Sequence, residues 1–133
     1  MSVSLLILTH NDVGAALVNT ATRMLPGDCP LPIVTLGISE TCDIESISKQ
    51  TQAIINNLDQ GAGVLILTDM YGSTPANLAC SMLKYGNVKV LTGINLPMLV
   101  RALNYPQLTL HELTERVITG GKDGIIECKP RSC

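Results

Sequence analysis

The hydrophobic residues of this chain fall into short runs that alternate with stretches of helical periodicity. The runs lie at residues 3–8, 32–36, 63–67 and 88–91, and the first is almost uninterrupted. A short run that is apolar throughout is typical of a parallel strand covered on both faces. The pattern therefore predicts four parallel strands.

The segments around these runs predict helices. Thr74 is a suitable N-cap with Pro75 at the first helical position, and Thr109 and Glu112 have the spacing of a capping box. The predicted helices are 13–24 before Pro26-Gly27, a helix from after Asp43 to about Gly61, one from Pro75 to Gly86, one with Pro97 in its first turn that runs through Leu103, and one from 109 to Gly120-Gly121.

Strands separated by helices predict an α/β fold, a doubly wound and mostly parallel sheet with helices on both faces. Residues 124–128 (Gly-Ile-Ile-Glu-Cys) predict a short fifth strand. Too few residues separate this segment from the last helix for a parallel crossover, so we expect it to be antiparallel at a sheet edge. The length predicts a single domain, residues 1–133, with residues 130–133 as a flexible tail.

Composition and charge exclude several classes of function. Phe and Trp are absent, the net charge is −2, and Lys and Arg form no run, so nucleic-acid binding is not expected. The five cysteines are an odd number without a Cys-x-x-Cys pair, which disfavours a disulfide framework and a zinc site. The chain shows no secretory signal and no apolar run of the roughly 20 residues that a membrane helix needs. We therefore expect a cytoplasmic protein that does not insert into membranes.

Polar residues follow the predicted strands at the carboxyl edge of the sheet, where open parallel sheets bind ligands. His10 follows the first strand, Asp69 the third, and Thr92 and Asn95 the fourth. An imidazole becomes a good nucleophile when a carboxylate holds one ring N–H and leaves the other nitrogen free. We therefore predict His10 as a nucleophile that Asp69 orients. The alternatives are that His10 is bonded within a turn and that Asp69 caps its own turn.

The loop after Asp69 leads directly into a helix. Gly72, Ser73 and Thr74 precede or begin this helix, whose first N–H groups and dipole suit an anion. Ser73 and Thr74 add hydroxyl donors, and the N–H groups of Ala76 and Asn77 could turn toward the same anion. We therefore predict a phosphate site at Gly72, Ser73 and Thr74, although plain helix capping explains part of the pattern.

Other sites are not supported by the sequence. It contains no Gly-x-Gly-x-x-Gly after the first strand, no phosphate-binding loop ending in Gly-Lys-Ser/Thr, and no Gly-x-Ser-x-Gly. His111 lies within the predicted capping box and is expected to be exposed without a functional role. Because His10 and His111 are the only histidines, no metal site and no cofactor are predicted.

The motifs together resemble the IIA component of the mannose/fructose/sorbose family of bacterial phosphoenolpyruvate-dependent sugar phosphotransferase systems. The similar segments are 8–10, 69–77, 93–99 and 121–124, in order along nearly the whole chain. Members of the family often have Gly directly after the histidine, where this chain has Asn11. They also often have a Gly-Gly-Ser-Pro loop, where this chain has Gly-Ser-Thr-Pro at 72–75.

The resemblance implies a phosphotransferase with a phosphohistidine intermediate, and a homodimer in which the last strand reaches the neighbouring subunit. It implies that His10 accepts a phosphoryl group from phospho-HPr and passes it to a IIB component, with Asp69 orienting the ring. It further implies that Ser73 and Thr74 line the phosphate site. Membrane IIC and IID components are then the expected associates in sugar transport.

Three alternatives stay open. The chain could be the histidine-bearing subunit of a dihydroxyacetone kinase, which has a similar fold but typically a different loop after the third-strand aspartate. It could be a receiver-type module phosphorylated on Asp69, although receivers need an acidic pair after the first strand and only Asp12 could serve here. It could also be a IIA component whose phosphorylation regulates other proteins and does not feed a transporter.

Overall fold

A computed structural model describes residues 1–130. Within them, four parallel strands form one sheet in the order β2-β1-β3-β4. The strands are β1 (Ser4–His10), β2 (Ile33–Ile38), β3 (Val64–Thr68) and β4 (Val88–Leu91). The helices are α1 (Val13–Arg23), α2 (Ile44–Leu58), α3 (Thr74–Ser81), which continues as a 3₁₀ turn (Met82–Tyr85), α4 (Leu96–Asn104) and α5 (Leu110–Asp123). The predicted α/β class and its four parallel strands are confirmed.

Each face of the sheet carries its own hydrophobic core. Alternate side chains of β1 and β3, such as Leu5 and Leu67, pack against α1, α4 and α5. The other set, such as Leu6 and Ile66, packs against α2, α3 and the 3₁₀ turn. Because both faces are covered, residues 5–8 of β1 and 64–67 of β3 are all apolar, which is why their runs were visible in the sequence.

The first two strands extend two residues beyond their predicted ends. β1 continues through Thr9 and His10 because Ile38 of β2 pairs with His10 and Gly37 pairs with Thr9. Hydrophobicity could not reveal this extension, since these pairs use backbone groups and the residues involved include a polar and a small one. His10 is therefore the last residue of a strand and has little freedom in its backbone.

The predicted fifth strand is not part of the sheet that residues 1–130 form. Residues 125–129 form no strand within residues 1–130, and the sheet ends at β4. The last helix continues to Asp123, beyond the predicted stop at Gly120-Gly121, and Ile125 then donates its N–H to the carbonyl of Lys122. The helical hydrogen bonding thus extends into the segment and leaves Ile125 and Ile126 exposed, by 80% and 70%.

The helix ends show which capping signals hold. Thr109 and Glu112 form the predicted capping box, with reciprocal bonds between side chain and backbone.

Of the predicted tail at 130–133, residues 131–133 lie outside the described part of the chain. No helix in residues 1–130 combines the length and the hydrophobicity that crossing a bilayer requires.

Candidate active site

His10 and Asp69 lie in contact at the carboxyl edge of the sheet. Asp69 Oδ2 is 2.9 Å from His10 Nδ1, and the same oxygen accepts the backbone N–H of His10 at 3.0 Å. The contact follows from the topology, because β1 and β3 are neighbours in the sheet and both end here. One carboxylate oxygen therefore fixes both the ring and the backbone of the histidine.

The bond to Asp69 determines which ring nitrogen is free. A carboxylate beside Nδ1 favours the tautomer with the proton on Nδ1 and the lone pair on Nε2. Nε2 has no hydrogen-bond partner within residues 1–130. The His10 side chain is 38% exposed, so part of the ring is open to a second molecule.

Opposing influences act on the Asp69 carboxyl. Burial raises its pKa, whereas hydrogen bonds from the His10 ring, from the His10 N–H and from its own backbone lower it, and so does the charge interaction with the ring. The net effect holds the pKa of Asp69 below its ordinary value of 3.8. Asp69 is therefore a carboxylate at neutral pH, ready to stabilise positive charge on the imidazole.

The His10 ring lines a cavity of about 270 Å³ between the sheet edge and the starts of α2 and α3. Thr74 and Pro75 form one wall and Ile38 another. Of the three residues predicted to bind phosphate, only Thr74 lines this cavity. The cavity places a hydroxyl group and a helix start beside the free ring nitrogen.

Gly72 and Ser73 shape the loop and do not line that cavity. Gly72 has φ of 83°, a left-handed conformation that glycine adopts without strain. Ser73 Oγ donates to the Met70 carbonyl at 2.6 Å, and Ser73, not Thr74 as predicted, occupies the N-cap position. The hydroxyl of Ser73 thus closes the turn and caps no helical N–H.

The start of α3 retains free donors, although not all of the predicted ones. Asn77 donates its N–H to the Ser73 carbonyl at 2.8 Å, so the predicted role of the Asn77 N–H toward an anion is wrong. The N–H groups of Thr74 and Ala76 have no partner within residues 1–130. Since Pro75 has no N–H, Thr74 and Ala76 are the donors that the helix start offers to an anion.

The polar residues that follow β4, and His111, lie away from His10. Thr92 and Asn95 line a separate apolar cavity of about 250 Å³ beside α5. His111 is exposed and lines a third cavity with Met1, Ala62 and Asn87, residues that precede strands at the amino edge of the sheet. His111 is therefore at the opposite end of the sheet from Asp69.

Sequence reasoning missed the contribution of the segment after β2. Ser39, Glu40, Cys42 and Ile44 line the His10 cavity, as does Asn11 from the β1–α1 turn. The signal was present, because Ser39 and Glu40 follow a predicted strand. Their relevance depends on strand order, since β2 lies beside β1 in the sheet.

Comparison with known proteins assigns the family. The EIIA-man family model, described as "PTS system fructose IIA component", matches residues 4–118. The chain belongs to this family. It is also 27% identical over 135 residues to the mannose-specific EIIAB component of the phosphotransferase system of Escherichia coli K12, covering 98% of this chain. The chain spans 41% of the length of that relative.

Solved structures agree with this EIIA-man chain in fold. The mannose/sorbose-specific IIA subunit from Enterococcus faecalis superposes with a TM-score of 0.83 at 21% identity, over 97% of this chain and 96% of that one. The phosphotransferase system component EIIA from Streptococcus agalactiae gives a TM-score of 0.82 at 22% identity, over 94% and 96% of the two chains. These two likenesses show the fold, and the assignment to the EIIA-man family rests on the match of residues 4–118.

Proposed function

We propose that this IIA protein accepts a phosphoryl group from phospho-HPr on His10 Nε2 and passes it to a IIB component. The observation that carries the proposal is the double contact of Asp69 Oδ2 with the His10 ring and backbone, at 2.9 and 3.0 Å. This contact holds the proton on Nδ1 and leaves Nε2 open to a cavity. The arrangement is the one that an imidazole nucleophile requires.

The phosphoryl transfer is a nucleophilic displacement at phosphorus. The Nε2 lone pair of His10 forms the new P–N bond as the P–N bond of the donor's phosphohistidine breaks, and the donor ring keeps that electron pair. The Nδ1 proton stays in place, so the phosphorylated ring is cationic and Asp69 stabilises it. Passing the group to IIB reverses these steps at His10, because the acceptor atom takes the phosphorus and Nε2 regains its lone pair.

The start of α3 stabilises the phosphoryl oxygens in this proposal. Thr74 supplies a hydroxyl beside His10, and the unpartnered N–H groups of Thr74 and Ala76 supply further donors. Gly72 and Ser73 act indirectly by holding the loop that presents these groups. Backbone donors at a helix start carry partial positive charge, which suits the equatorial oxygens of a phosphoryl group during transfer.

The receiver alternative is disfavoured by the bonding of Asp69. Its Oδ2 accepts two bonds from His10, and its Oδ1 accepts the N–H of Met70 at 3.1 Å. A receiver aspartate must offer a free carboxylate oxygen to the incoming phosphorus. Here the free nucleophilic atom is His10 Nε2, so the histidine is the better acceptor.

A homodimer belongs to the same proposal. Ile125 and Ile126 are 80% and 70% exposed, and Ile125 borders the apolar cavity that Leu91 of the edge strand β4 also lines. An exposed aliphatic segment beside an open strand edge favours pairing with a second copy. In the dimer the segment 124–128 would then be the antiparallel strand predicted from the sequence. Sedimentation of a micromolar sample as a monomer would contradict this part.

The physiological setting follows from the family role. We place residues 1–133 in the cytoplasm as one phosphocarrier domain that needs no cofactor, serving membrane IIC and IID components through IIB. A regulatory role would use the same phosphorylation chemistry. Neighbouring genes for IIB, IIC and IID would indicate transport, whereas their absence would indicate regulation.

Labelling with radioactive phosphate tests the acceptor residue. Incubation with phosphoenolpyruvate, Enzyme I and HPr should give an acid-labile, base-stable phosphate on the wild-type protein. His10→Gln should lose the label because Gln offers no nucleophilic ring nitrogen. His111→Gln is the matched control, since it removes the other histidine at the far end of the sheet, and it should retain the label. Equal labelling of His10→Gln and wild type would contradict the proposal.

A further inference from the structure

The turn directly after His10 is unusually confined. Asn11 has φ of 45°, in the left-handed region that asparagine tolerates better than most residues. Its N–H donates to the Ile38 carbonyl at 3.1 Å, which continues the pairing of β1 with β2. The chain therefore reverses at the residue that follows the nucleophile, and any shift of Asn11 is transmitted to His10.

Gly37 of β2 makes room for this turn. A Cβ placed on Gly37 would overlap the Asn11 carbonyl oxygen and lie 3.0 Å from its carbonyl carbon. Real Cβ atoms do not approach other atoms as closely as this oxygen, and the group in the way is backbone, which cannot swing aside as a flexible side chain can. Only glycine at position 37 is compatible with the observed path of the β1–α1 turn.

Thr9 holds the other end of the same turn. It pairs with Gly37 across the two strands, and its Oγ1 accepts the N–H of Gly14 at 2.8 Å in a buried position. Asp12 occupies the N-cap position of α1 without making a side-chain cap bond, so Thr9 supplies the acceptor that the helix start lacks. The turn is thus fastened at Asn11 by β2 and at Gly14 by β1.

We infer that Gly37, together with Thr9, is a positioning residue that sets the His10 ring against Asp69 from the opposite face of the sheet. The His10 ring lies on the α2 and α3 side, whereas Thr9 and Gly37 act on the turn that leads to α1. Neither residue is placed to touch the phosphoryl group. The functional consequence rests on the proposed role of His10, but the positioning itself does not.

Replacing Gly37 by alanine tests the inference, with Gly27→Ala as its matched control. Gly27 is exposed, and a Cβ there would have nothing within 4 Å. In Gly37→Ala the methyl group must displace the Asn11 carbonyl and with it His10. A misplacement of about 1 Å costs on the order of 100-fold in rate, so kcat for transfer from phospho-HPr should fall about 100-fold while KM stays within about twofold. Gly27→Ala should match the wild type in both.

A second measurement separates positioning from catalysis. The ¹⁵N shifts of the imidazole nitrogens report whether the neutral ring carries its proton on Nδ1, as the Asp69 contact requires. Gly37→Ala should lose this Nδ1–H signature, and Gly27→Ala should keep it. If the wild type accepts no phosphate yet Gly37→Ala still loses the signature, the positioning role stands and the proposed function fails.

Two further variants keep the test decisive if Gly37→Ala folds poorly. Adding Asn11→Gly to Gly37→Ala should let the carbonyl of residue 11 rotate away from the introduced methyl group. The kcat of this double variant should be at least about tenfold higher than that of Gly37→Ala, because glycine adopts backbone angles closed to asparagine. Thr9→Val keeps the shape but removes the acceptor for Gly14, and should lower kcat about tenfold with an unchanged KM. Wild-type kcat and an intact Nδ1–H signature in Gly37→Ala or in Thr9→Val, or a double variant no faster than Gly37→Ala, would overturn the inference.

Discussion

Two turns at the carboxyl edge of the sheet share a left-handed glycine but differ in how the helix that follows them is capped. The β3–α3 turn contains Gly72 and the β4–α4 turn contains Gly93, each with φ of 83°. Each turn leads into a helix with proline in its first turn, Pro75 in α3 and Pro97 in α4. The β3–α3 turn is one residue longer, and Gly72 directly precedes its N-cap residue whereas Gly93 lies two residues before Asn95.

The helices that follow the two turns differ in the bonding of their third N–H group. In α4, Asn95 at the N-cap accepts the N–H of Met98 at 3.0 Å, so this helix start is closed by its own side chain. In α3, Ser73 turns its hydroxyl back to Met70, and the equivalent N–H of Ala76 stays without a partner within residues 1–130. One helix start is capped, and the other is left available to an anion.

The β4–α4 turn also supports the β3–α3 turn. Gly93 donates its N–H to the Asp69 carbonyl at 3.0 Å, and Ile94 donates to the Thr68 carbonyl at 3.1 Å. The backbone that carries Asp69 is therefore held by the neighbouring turn. The two helix starts therefore differ in one donor: the N–H of Met98 is bonded to Asn95, whereas the N–H of Ala76 stays available to the proposed phosphate site.

The largest effect is expected from Asp69, which has no counterpart in the β4–α4 turn. Asp69→Asn keeps the shape but loses the negative charge and no longer enforces the Nδ1–H tautomer. We expect phosphoryl transfer to His10 to slow by about 100-fold, within the range for loss of a positioned proton-holding group. Rapid-quench transfer from phospho-HPr would measure this rate. Asp12→Asn, which changes an exposed carboxylate at the same edge, is the control, and an equal loss in both variants would contradict the assignment.

The next largest effect is expected from giving α3 an N-cap side chain. Ser73→Asn copies the N-cap of α4, and its side chain should accept the free N–H of Ala76. The new cap should add about 1 kcal/mol to the free energy of unfolding, and loss of the Ser73 bond to the Met70 carbonyl should offset part of this gain. We also expect transfer to slow about tenfold, because one donor for the phosphoryl group is then occupied. Faster transfer together with higher stability would argue against a role for this helix start.

Removing the N-cap side chain of α4 should affect stability alone. Asn95→Ala removes the acceptor for Met98, and the loss of an N-cap costs about 1 kcal/mol of unfolding free energy. Urea unfolding would measure this loss, and transfer from phospho-HPr should stay within about twofold of the wild type. A large fall in transfer would mean that the two turns are more tightly coupled than two backbone bonds imply.

The smallest effect is the dependence of stability on pH through Asp69. Its pKa in the folded protein is below the ordinary value of 3.8, so its contribution to stability is complete above 3.8 and is lost as pH falls through the folded value. Wild type should therefore lose stability in this acidic range more steeply than Asp69→Asn. Thermal unfolding of both proteins at neutral pH and below pH 3.8 would show this difference, and parallel curves would contradict it.

Much of the fold could be predicted because it depends on local pattern. The apolar runs of β1 and β3 were recognisable because both faces of the sheet are covered there, and Thr109 with Glu112 caps α5 because the motif is complete within four residues. The choice of His10 and Asp69 also needed only the rule that strand ends converge at one edge. These features are determined by residues close together in the sequence or by the general geometry of parallel sheets.

The tertiary structure decided what depends on strand order and on the exact path of the backbone. The order β2-β1-β3-β4 brings Asp69 to 2.9 Å from His10 and adds Glu40 to the cavity, while Asn95 goes to another cavity. The clearance between Gly37 and Asn11 is likewise invisible in the sequence. Such contacts join residues on different strands, and their distances are set by packing of the whole sheet, so no local pattern encodes them.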